Sequence, residues 1–132
     1  MKQLLFIFCI LISIVFVGCK ESVNLGIQVI SQEEMQTLLK LDDVQLIDVR
    51  TPEEYKTGFI ADAQNIDFYS STFAEDINKL DKSKPVLLYC KSGGRSAKCA
   101  KKLLKAGFVK IYDLEGGISK WEHSGLKVNT TF

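Results

Sequence analysis

Cys90 ends the apolar run PVLLYC and opens the segment CKSGGRS, which combines one cysteine with two glycines and two cations. A cysteine becomes a nucleophile only as the thiolate, and a helix N-terminus or a nearby cation lowers its pKa. A helix beginning near Ser96 would direct its unpaired N–H groups back toward Cys90. The segment is therefore typical of a loop around a reactive sulfur, although a tight turn over a buried, inert cysteine would use the same residues.

The residues after Cys90 favour a negative atom above the sulfur. The two glycines can adopt backbone angles that are closed to other residues, so successive N–H groups can converge on one point as an anion-binding nest. The lysine and the arginine place full positive charges at the rim or wall of that nest. We therefore predict an anion-binding loop that consists of Lys91, Ser92, Gly93, Gly94 and Arg95.

Strand and helix patterns alternate from Ile27 onward at the spacing of βαβ units. Ser31 with Glu34, and Thr51 with Glu54, are placed as capping boxes that begin two helices. The other predicted helices begin at Ser70 or Ser71, near Ser96, and in GGISKWEHSG, and the predicted strands are IQVI, VQLIDV, AQNI, VLLYC and VKIYDL. This alternation predicts an α/β fold with a mostly parallel sheet and helices on both faces. Ligands bind at the carboxyl ends of such strands, where Cys90 lies.

The N-terminal residues predict export and lipid attachment. Lys2 precedes the apolar run LLFIFCILISIVFV, which is shorter than the roughly 20 residues that span a bilayer and is typical of a signal peptide. Its end, FVGC, resembles the lipobox of bacterial lipoproteins, with Phe16 where leucine is usual. We expect a signal peptide over residues 1–18, a short linker over 19–26 after a lipidated Cys19, and one domain over 27–132. The expected location is the cell envelope or periplasm, with Cys19 as the membrane anchor. A plain cleaved signal or a short uncleaved anchor is the alternative.

Charge and cysteine usage exclude several classes of protein. Loss of Lys2 with the signal would leave sixteen Lys and Arg against sixteen Asp and Glu, so no basic field attracts nucleic acid. His123, the single histidine, has no cysteine or carboxylate at a ligand spacing, so we expect no metal site and no cofactor. Cys99 lies within a predicted helix and is interpreted as a packing residue, with a role as resolving thiol for Cys90 as the alternative.

Four ordered motifs resemble those of single-domain rhodaneses: DVRTPEEY, GFIADAQNI, CKSGGRS and LEGGISKW. The resemblance covers nearly all of the chain after the signal peptide. It implies a compact three-layer fold around a parallel sheet of about five strands, and a cysteine that carries a sulfane sulfur as a persulfide. Rhodaneses move that sulfur from a donor such as thiosulfate to cyanide or a thiol acceptor.

Carried onto this sequence, the resemblance implies that Cys90 is the nucleophile and that the backbone of residues 91–95 holds the persulfide. Lys91 and Arg95 would favour anionic donors, and Asp48 and Arg50 would support the loop from a neighbouring strand end, with Ser96 at the helix start. The expected partners are small sulfur anions or thiol acceptors and a membrane surface, and the domain is expected to act as a monomer.

The sequence departs from the family pattern in the GHI-x-G-A segment. Phe59 replaces the histidine and Asp62 replaces the second glycine, which puts the hydrogen bonding of that segment in doubt. Asp62 tolerates the left-handed region better than most residues, so we expect the turn to persist.

Two other functions remain open from the sequence. Cysteine-dependent phosphatases and arsenate reductases share the strand, loop and helix arrangement, but their loops resemble Cys-x5-Arg, and only four residues separate Cys90 from Arg95. A persulfide relay module, which passes sulfur between proteins without turnover on small molecules, would have the same sequence features as the enzyme.

Overall fold

The structure, a computed structural model, describes residues 26–131. The expected signal peptide and the lipidated Cys19 lie outside the described residues. The strands are β1 (Gly26–Ile30), β2 (Gln45–Asp48), β3 (Gln64–Asn65), β4 (Val86–Tyr89) and β5 (Lys110–Leu114). The helices are α1 (Gln32–Leu38), α2 (Pro52–Thr57), α3 (Phe73–Asn78), α4 (Gly94–Lys105) and α5 (Gly117–His123). Strand β1 therefore begins one residue before the expected domain boundary.

The five strands form one sheet in the order β1-β5-β4-β2-β3, and every neighbouring pair is parallel. The central strand β4 is fully buried, and its continuous apolar sequence is what a strand covered on both faces requires. The predicted fold class is confirmed. All carboxyl ends of the strands lie at one edge of the sheet, and β4 delivers Cys90 to that edge.

Helices cover both faces of the sheet. Helices α3 and α4 pack on one face, in a cluster that includes Phe73, Ile77, Leu103, Val86 and Leu88. Helices α1 and α5 pack on the other face, in a cluster that includes Met35, Trp121, Leu46, Leu87 and Tyr89. The site at the end of β4 therefore rests on two apolar cores.

The helix starts follow the predictions in part. Both capping boxes are present, with Ser31 and Thr51 as the N-caps. Helix α3 begins later than the predicted Ser70 or Ser71, because the Ser70 hydroxyl accepts the Thr72 N–H in a preceding turn.

No helix in residues 26–131 is long and apolar enough to span a membrane. The same part of the chain contains no group of three or more His, Cys, Asp or Glu side chains that could hold a metal ion.

Candidate active site

Cys90 is buried at the carboxyl end of β4, and the backbone of the following loop turns toward its sulfur. Cys90 is only 1% exposed. The Gly93 N–H donates to Cys90 Sγ at 3.1 Å, and Cys90 Sγ lies 3.5 Å from Ser96 Oγ. The Gly93 amide thus faces the sulfur, as the prediction of an anion-binding loop requires of its donors.

These contacts determine the acidity of the thiol. Burial acts to raise the pKa of Cys90. Hydrogen bonds from the Ser96 hydroxyl and from the backbone N–H groups of Ser96, Gly93 and Ser92 outweigh burial and hold the pKa below its ordinary value. The loop therefore favours the thiolate, which is the reactive form of cysteine.

Gly93 and Gly94 differ in their roles. Gly93 has a φ of 111°, in the left-handed region, and it is the N-cap of α4. Gly94 is already the first residue of α4 and has no positive φ, so the helix begins two residues earlier than predicted. A Cβ atom added at either glycine would meet no atom within 4 Å. A side chain at either position would therefore point into open space, although Cys90 itself is buried.

Helix α5 holds the outer side of the loop, a role that the sequence prediction missed. The N–H groups of Ile118 and Ser119 donate to the carbonyl oxygens of Cys90 and Lys91 at 2.9 and 3.0 Å. A peptide unit is planar and trans, so an outward Lys91 carbonyl turns the Ser92 N–H to the opposite side, toward the sulfur. Helix α5 thereby orients a donor of the anion nest.

Gly117 makes this contact possible. Its φ is 61°, and a Cβ atom there would lie 2.5 Å from both the Cys90 and the Lys91 carbonyl oxygens. The double glycine before an apolar helix start was the available sequence signal. The two glycines indicated a turn and a helix start, which the structure confirms. They did not indicate that the backbone of Gly117 approaches the backbone of Cys90 and Lys91.

Arg95 is paired with a carboxylate. Its Nη1 and Nη2 atoms donate to the two carboxylate oxygens of Glu54 at 2.6 and 2.8 Å. This pair lowers the pKa of Glu54 to about 2 and raises the pKa of Arg95. Glu54 was predicted only as a capping residue, and its link to Arg95 was missed. The Arg95 charge is therefore largely compensated, and Lys91 is the exposed cation of the loop.

Asp48 and Arg50 lie beside the loop and make no contact with the sulfur in the described structure. Their buried ion pair is 2.6 Å long, and Arg50 Nη2 also donates to the Gly58 carbonyl at 2.6 Å. The guanidinium carbon lies 5.8 Å from the ring centroid of Tyr89, the residue before Cys90. The pair thus fixes the segment at Gly58 and the side chain at the end of β4.

The segment that departs from the family pattern keeps its turn. Asp62 has a φ of 66° and is the one non-glycine residue of positive φ in the described chain, as its predicted tolerance allows. Phe59 exchanges two 2.8 Å backbone hydrogen bonds with Asn129 and stacks on Tyr55 at 4.2 Å between ring centroids. The hydrogen bonding that the sequence left in doubt is therefore supplied by the backbone.

Cys99 and Asp113 lie beneath the loop. Both Cys90 and Cys99 are free thiols, and burial, with a contribution from Asp113, raises the pKa of Cys99 to about 12. Cys99 is 1% exposed, in agreement with its interpretation as a packing residue. Asp113, a buried carboxylate, was missed because nothing in VKIYDL distinguishes it from a surface position.

The described structure contains a small cavity beside the cysteine loop and a larger one away from it. A cavity of about 170 Å³ borders the outer side of the loop and is lined by Arg50, Glu54, Thr57, Gly58, Lys91, Ile118, Ser119 and Glu122. A larger cavity of about 440 Å³ is lined by residues such as Leu39, Leu46 and Ile60, and no residue of the cysteine loop borders it. The smaller recess is thus the one of these two cavities that borders the cysteine loop, through Lys91.

A parallel α/β sheet whose central strand ends on a cysteine of lowered pKa, with backbone N–H groups of the following loop turned toward the sulfur, defines a candidate active site built around one cysteine. The family model of the Rhodanese-like domain matches residues 31–124. The chain belongs to this family.

Curated relatives and solved structures agree with this assignment. The chain is 33% identical over 98 residues to a sulfurtransferase of Allochromatium vinosum, an alignment that covers 74% of the chain and 90% of the relative. It is 37% identical over 93 residues to the thiosulfate sulfurtransferase GlpE of Coxiella burnetii, covering 70% and 85%. A rhodanese-related protein of Thermoplasma volcanium matches with a TM-score of 0.70 and 31% identity, covering 79% and 99%.

Proposed function

We propose that this protein is a sulfurtransferase that carries a sulfane sulfur on Cys90 as a persulfide. The observation that carries the proposal is the Gly93 N–H at 3.1 Å from a thiol whose pKa is held below its ordinary value. A terminal persulfide sulfur is a single anionic atom, and a nest of backbone N–H groups suits such an atom. The relatives named as sulfurtransferases support the same reaction class.

The proposed reaction has two balanced steps. The Cys90 thiolate attacks the outer sulfur of a donor such as thiosulfate; an S–S bond forms, the bond to the sulfonate sulfur breaks, and sulfite leaves with the electron pair. Cyanide or a thiolate acceptor then attacks the terminal sulfur, and the electron pair of the S–S bond returns to Cys90. The open face at Gly93 and Gly94 supports access to the sulfur.

Charge at the rim favours an anionic donor. Lys91 is exposed and makes no ion pair within residues 26–131, whereas Arg95 is bound to Glu54. We infer that Lys91 attracts the donor, and that Arg95 shapes the wall of the loop. Asp48 and Arg50 hold the adjacent segment in place.

Mass spectrometry after incubation with thiosulfate tests the reaction. We expect Cys90 to gain one sulfur atom that cyanide removes, and we expect Cys90→Ser to gain none. Cys99→Ser is the matched control and should keep the adduct on Cys90. Failure of every sulfane donor to load Cys90 would contradict the proposal, and hydrolysis of an aryl phosphate would instead support the phosphatase alternative. Sulfur release that occurs only with a protein acceptor would indicate a relay module.

We also propose that the protein is an exported lipoprotein, anchored in the cell envelope through Cys19, and that its domain acts as a monomer on small sulfur anions or thiol acceptors. The proposed export and anchor rest on the sequence of residues 1–19 and are independent of the cysteine loop. Mass spectrometry of the exported protein should find lipid on Cys19. A water-soluble exported protein with an unmodified Cys19 would contradict the anchor and leave the proposed reaction untouched.

A further inference from the structure

The outer side of helix α4 carries four lysines and no acid. The helix sequence GRSAKCAKKLLK contains no Asp or Glu, and four of its exposed side chains lie at i, i+3, i+4 and i+7: Lys98, Lys101, Lys102 and Lys105. Residues at this spacing share one side of a helix, which we call the lysine face. None of the four forms an ion pair with another residue of the described chain. Because the whole chain has a net charge of +1, the lysine face is a local excess of positive charge.

The lysine face does not stabilise the helix that carries it. Like charges three or four positions apart on a helix repel each other, and Lys98 with Lys102 is such a pair. The buried side of α4, with Ala100 and Leu103, is what holds the helix on the sheet. A self-repelling stretch that no acid of the described chain opposes is therefore explained best by a negative charge that a partner supplies.

An exposed tyrosine joins the lysine face to the cysteine loop. Tyr69 is 69% exposed, and its ring centroid lies 5.9 Å from the guanidinium carbon of Arg95, the last residue of that loop. The Tyr69 ring packs edge-on against Phe68, with 5.5 Å between the ring centroids, and Lys102 Nζ lies 5.1 Å from the Phe68 centroid. A continuous surface therefore runs from Lys102 across two aromatic rings to the rim of the cysteine loop.

The length of this surface favours a macromolecule over a small sulfur anion. An α-helix rises 1.5 Å per residue, so Lys98 and Lys105 lie about 10 Å apart along the axis of α4. A small anion meets only one end of such a surface, whereas a protein can cover all of it. Exposed tyrosine is common among the residues that dominate binding at protein interfaces, and complementary charge steers the two surfaces together.

We propose that the lysine face and Tyr69 form the docking site for a protein that accepts sulfur from Cys90, and that this partner presents a cysteine within an acidic surface. The transfer step rests on the proposed function, and the docking rests on the charge and contacts of α4. In that step the partner thiolate attacks the terminal sulfur of the Cys90 persulfide. A new S–S bond forms, the bond to Cys90 breaks, and its electron pair returns to Cys90. An anionic membrane would match the lysines but would offer no thiol.

Binding without chemistry is the first test. The probe is a fluorescent peptide with a central serine flanked by glutamates, and the matched probe has glutamines in their place. Fluorescence anisotropy with the Cys90→Ser protein measures binding in the absence of the reactive thiol. At low salt we expect the glutamate peptide to bind at least about tenfold more tightly than the glutamine peptide, because several ion pairs form together. The difference should shrink as salt screens the charges.

Charge reversal locates the binding surface. The double variant Lys98→Glu/Lys102→Glu should weaken binding of the glutamate peptide by at least about tenfold, because two attractions become repulsions. Lys40→Glu/Lys127→Glu is the matched control, since it makes the same change in charge at two exposed lysines that border the cavity away from the cysteine loop. The control should bind the peptide as the unchanged protein does, and Tyr69→Ala should weaken binding with no change in charge. Equal losses in the two double variants would overturn the inference.

Sulfur transfer is the second test. Protein loaded with thiosulfate is offered the two peptides with cysteine as the central residue, and the ratio of kcat/KM for the glutamate over the glutamine peptide is measured. This ratio should fall at least about fivefold in Lys98→Glu/Lys102→Glu and stay unchanged in Lys40→Glu/Lys127→Glu.

The outcomes separate this inference from the proposed function. Loading of Cys90 with the same ratio in all three proteins would retain the proposed function and overturn the inference. Selective binding of the glutamate peptide without any loading of Cys90 would reject the proposed function and retain the docking of an acidic protein. Vesicles of phosphatidylglycerol and phosphatidylcholine, compared with phosphatidylcholine alone, test the membrane. Binding to the anionic vesicles through Lys98 and Lys102, without preference between the peptides, would overturn the inference.

Discussion

At the scale of single residues, Gly117 is the position near the cysteine loop that tolerates a side chain least. Its backbone approaches the Cys90 and Lys91 carbonyl oxygens so closely that a Cβ atom would lie 2.5 Å from each. No side chain can occupy that position without moving the loop. The observed arrangement of the Cys90 loop thus depends on a residue that carries no side chain itself.

We expect Gly117→Ala to lower the free energy of unfolding by about 3 kcal/mol or more and to slow loading of Cys90. The left-handed φ alone costs about 1–2 kcal/mol, and the displaced carbonyls add to that cost. Gly125→Ala is the matched control, because Gly125 has a φ of 77° and open space around it. Urea unfolding and loading with thiosulfate measure the two effects. Equal losses in both variants would show that the close contact is unimportant.

At the scale of elements, Glu54 links helix α2 to the start of α4. Its carboxylate accepts the Thr51 N–H in the capping box and both Arg95 donors, so the same side chain caps the start of α2 and holds the first turn of α4. The sequence predicted the capping box because its residues are three positions apart. It could not predict the Arg95 pair, because 41 positions separate the partners and only the fold joins them.

Glu54→Gln should remove about 1 kcal/mol of stability at neutral pH, since the charge-assisted pair is lost while glutamine still caps the helix. The folded-state pKa of Glu54 is depressed from 4.5 to about 2, so its contribution is fully present above pH 4.5 and is lost as pH falls toward 2. The difference from wild type should therefore shrink over that range in urea unfolding. Glu75→Gln, in an exposed pair with Lys79, should change stability by less than about 0.5 kcal/mol. A Glu54→Gln difference that stays constant from pH 7 to 2 would contradict this explanation.

At the scale of the whole molecule, two apolar cores on opposite faces of the sheet hold the site edge together. Helix α4 contributes Leu103 to one of these cores, where it is fully buried. Its neighbour Leu104 is 45% exposed. The sequence predicted this helix, but the exposed Leu104 shows that two neighbouring leucines can differ completely in burial.

Leu103→Ala should lower the free energy of unfolding by about 2–5 kcal/mol, through lost burial and a residual cavity. Leu104→Ala, its neighbour, should change it by no more than about 1 kcal/mol. Denaturant unfolding followed by circular dichroism compares the two variants. Similar losses at both positions would contradict the assignment of Leu103 to the core.

The sequence predicted those features that depend on the spacing of nearby residues and on the apolar character of the strands. The parallel sheet, both capping boxes and the inward amides of the cysteine loop followed from residues that are close together in the chain. Two missed features, the pair of Glu54 with Arg95 and the close approach of Gly117 to the outer side of the loop, are contacts between distant segments. Such contacts depend on how the layers stack, and a single sequence does not record that arrangement.

The orientation of the donors around Cys90 depends on Ile118 and Ser119, which follow it much later in the chain. In a polypeptide emerging during biosynthesis, the Ser92 N–H is therefore not held toward the sulfur until α5 has docked. On the proposed function, the loop would reach its full reactivity only at this late stage, and a molecule truncated before α5 would contain the cysteine loop without one of its oriented donors.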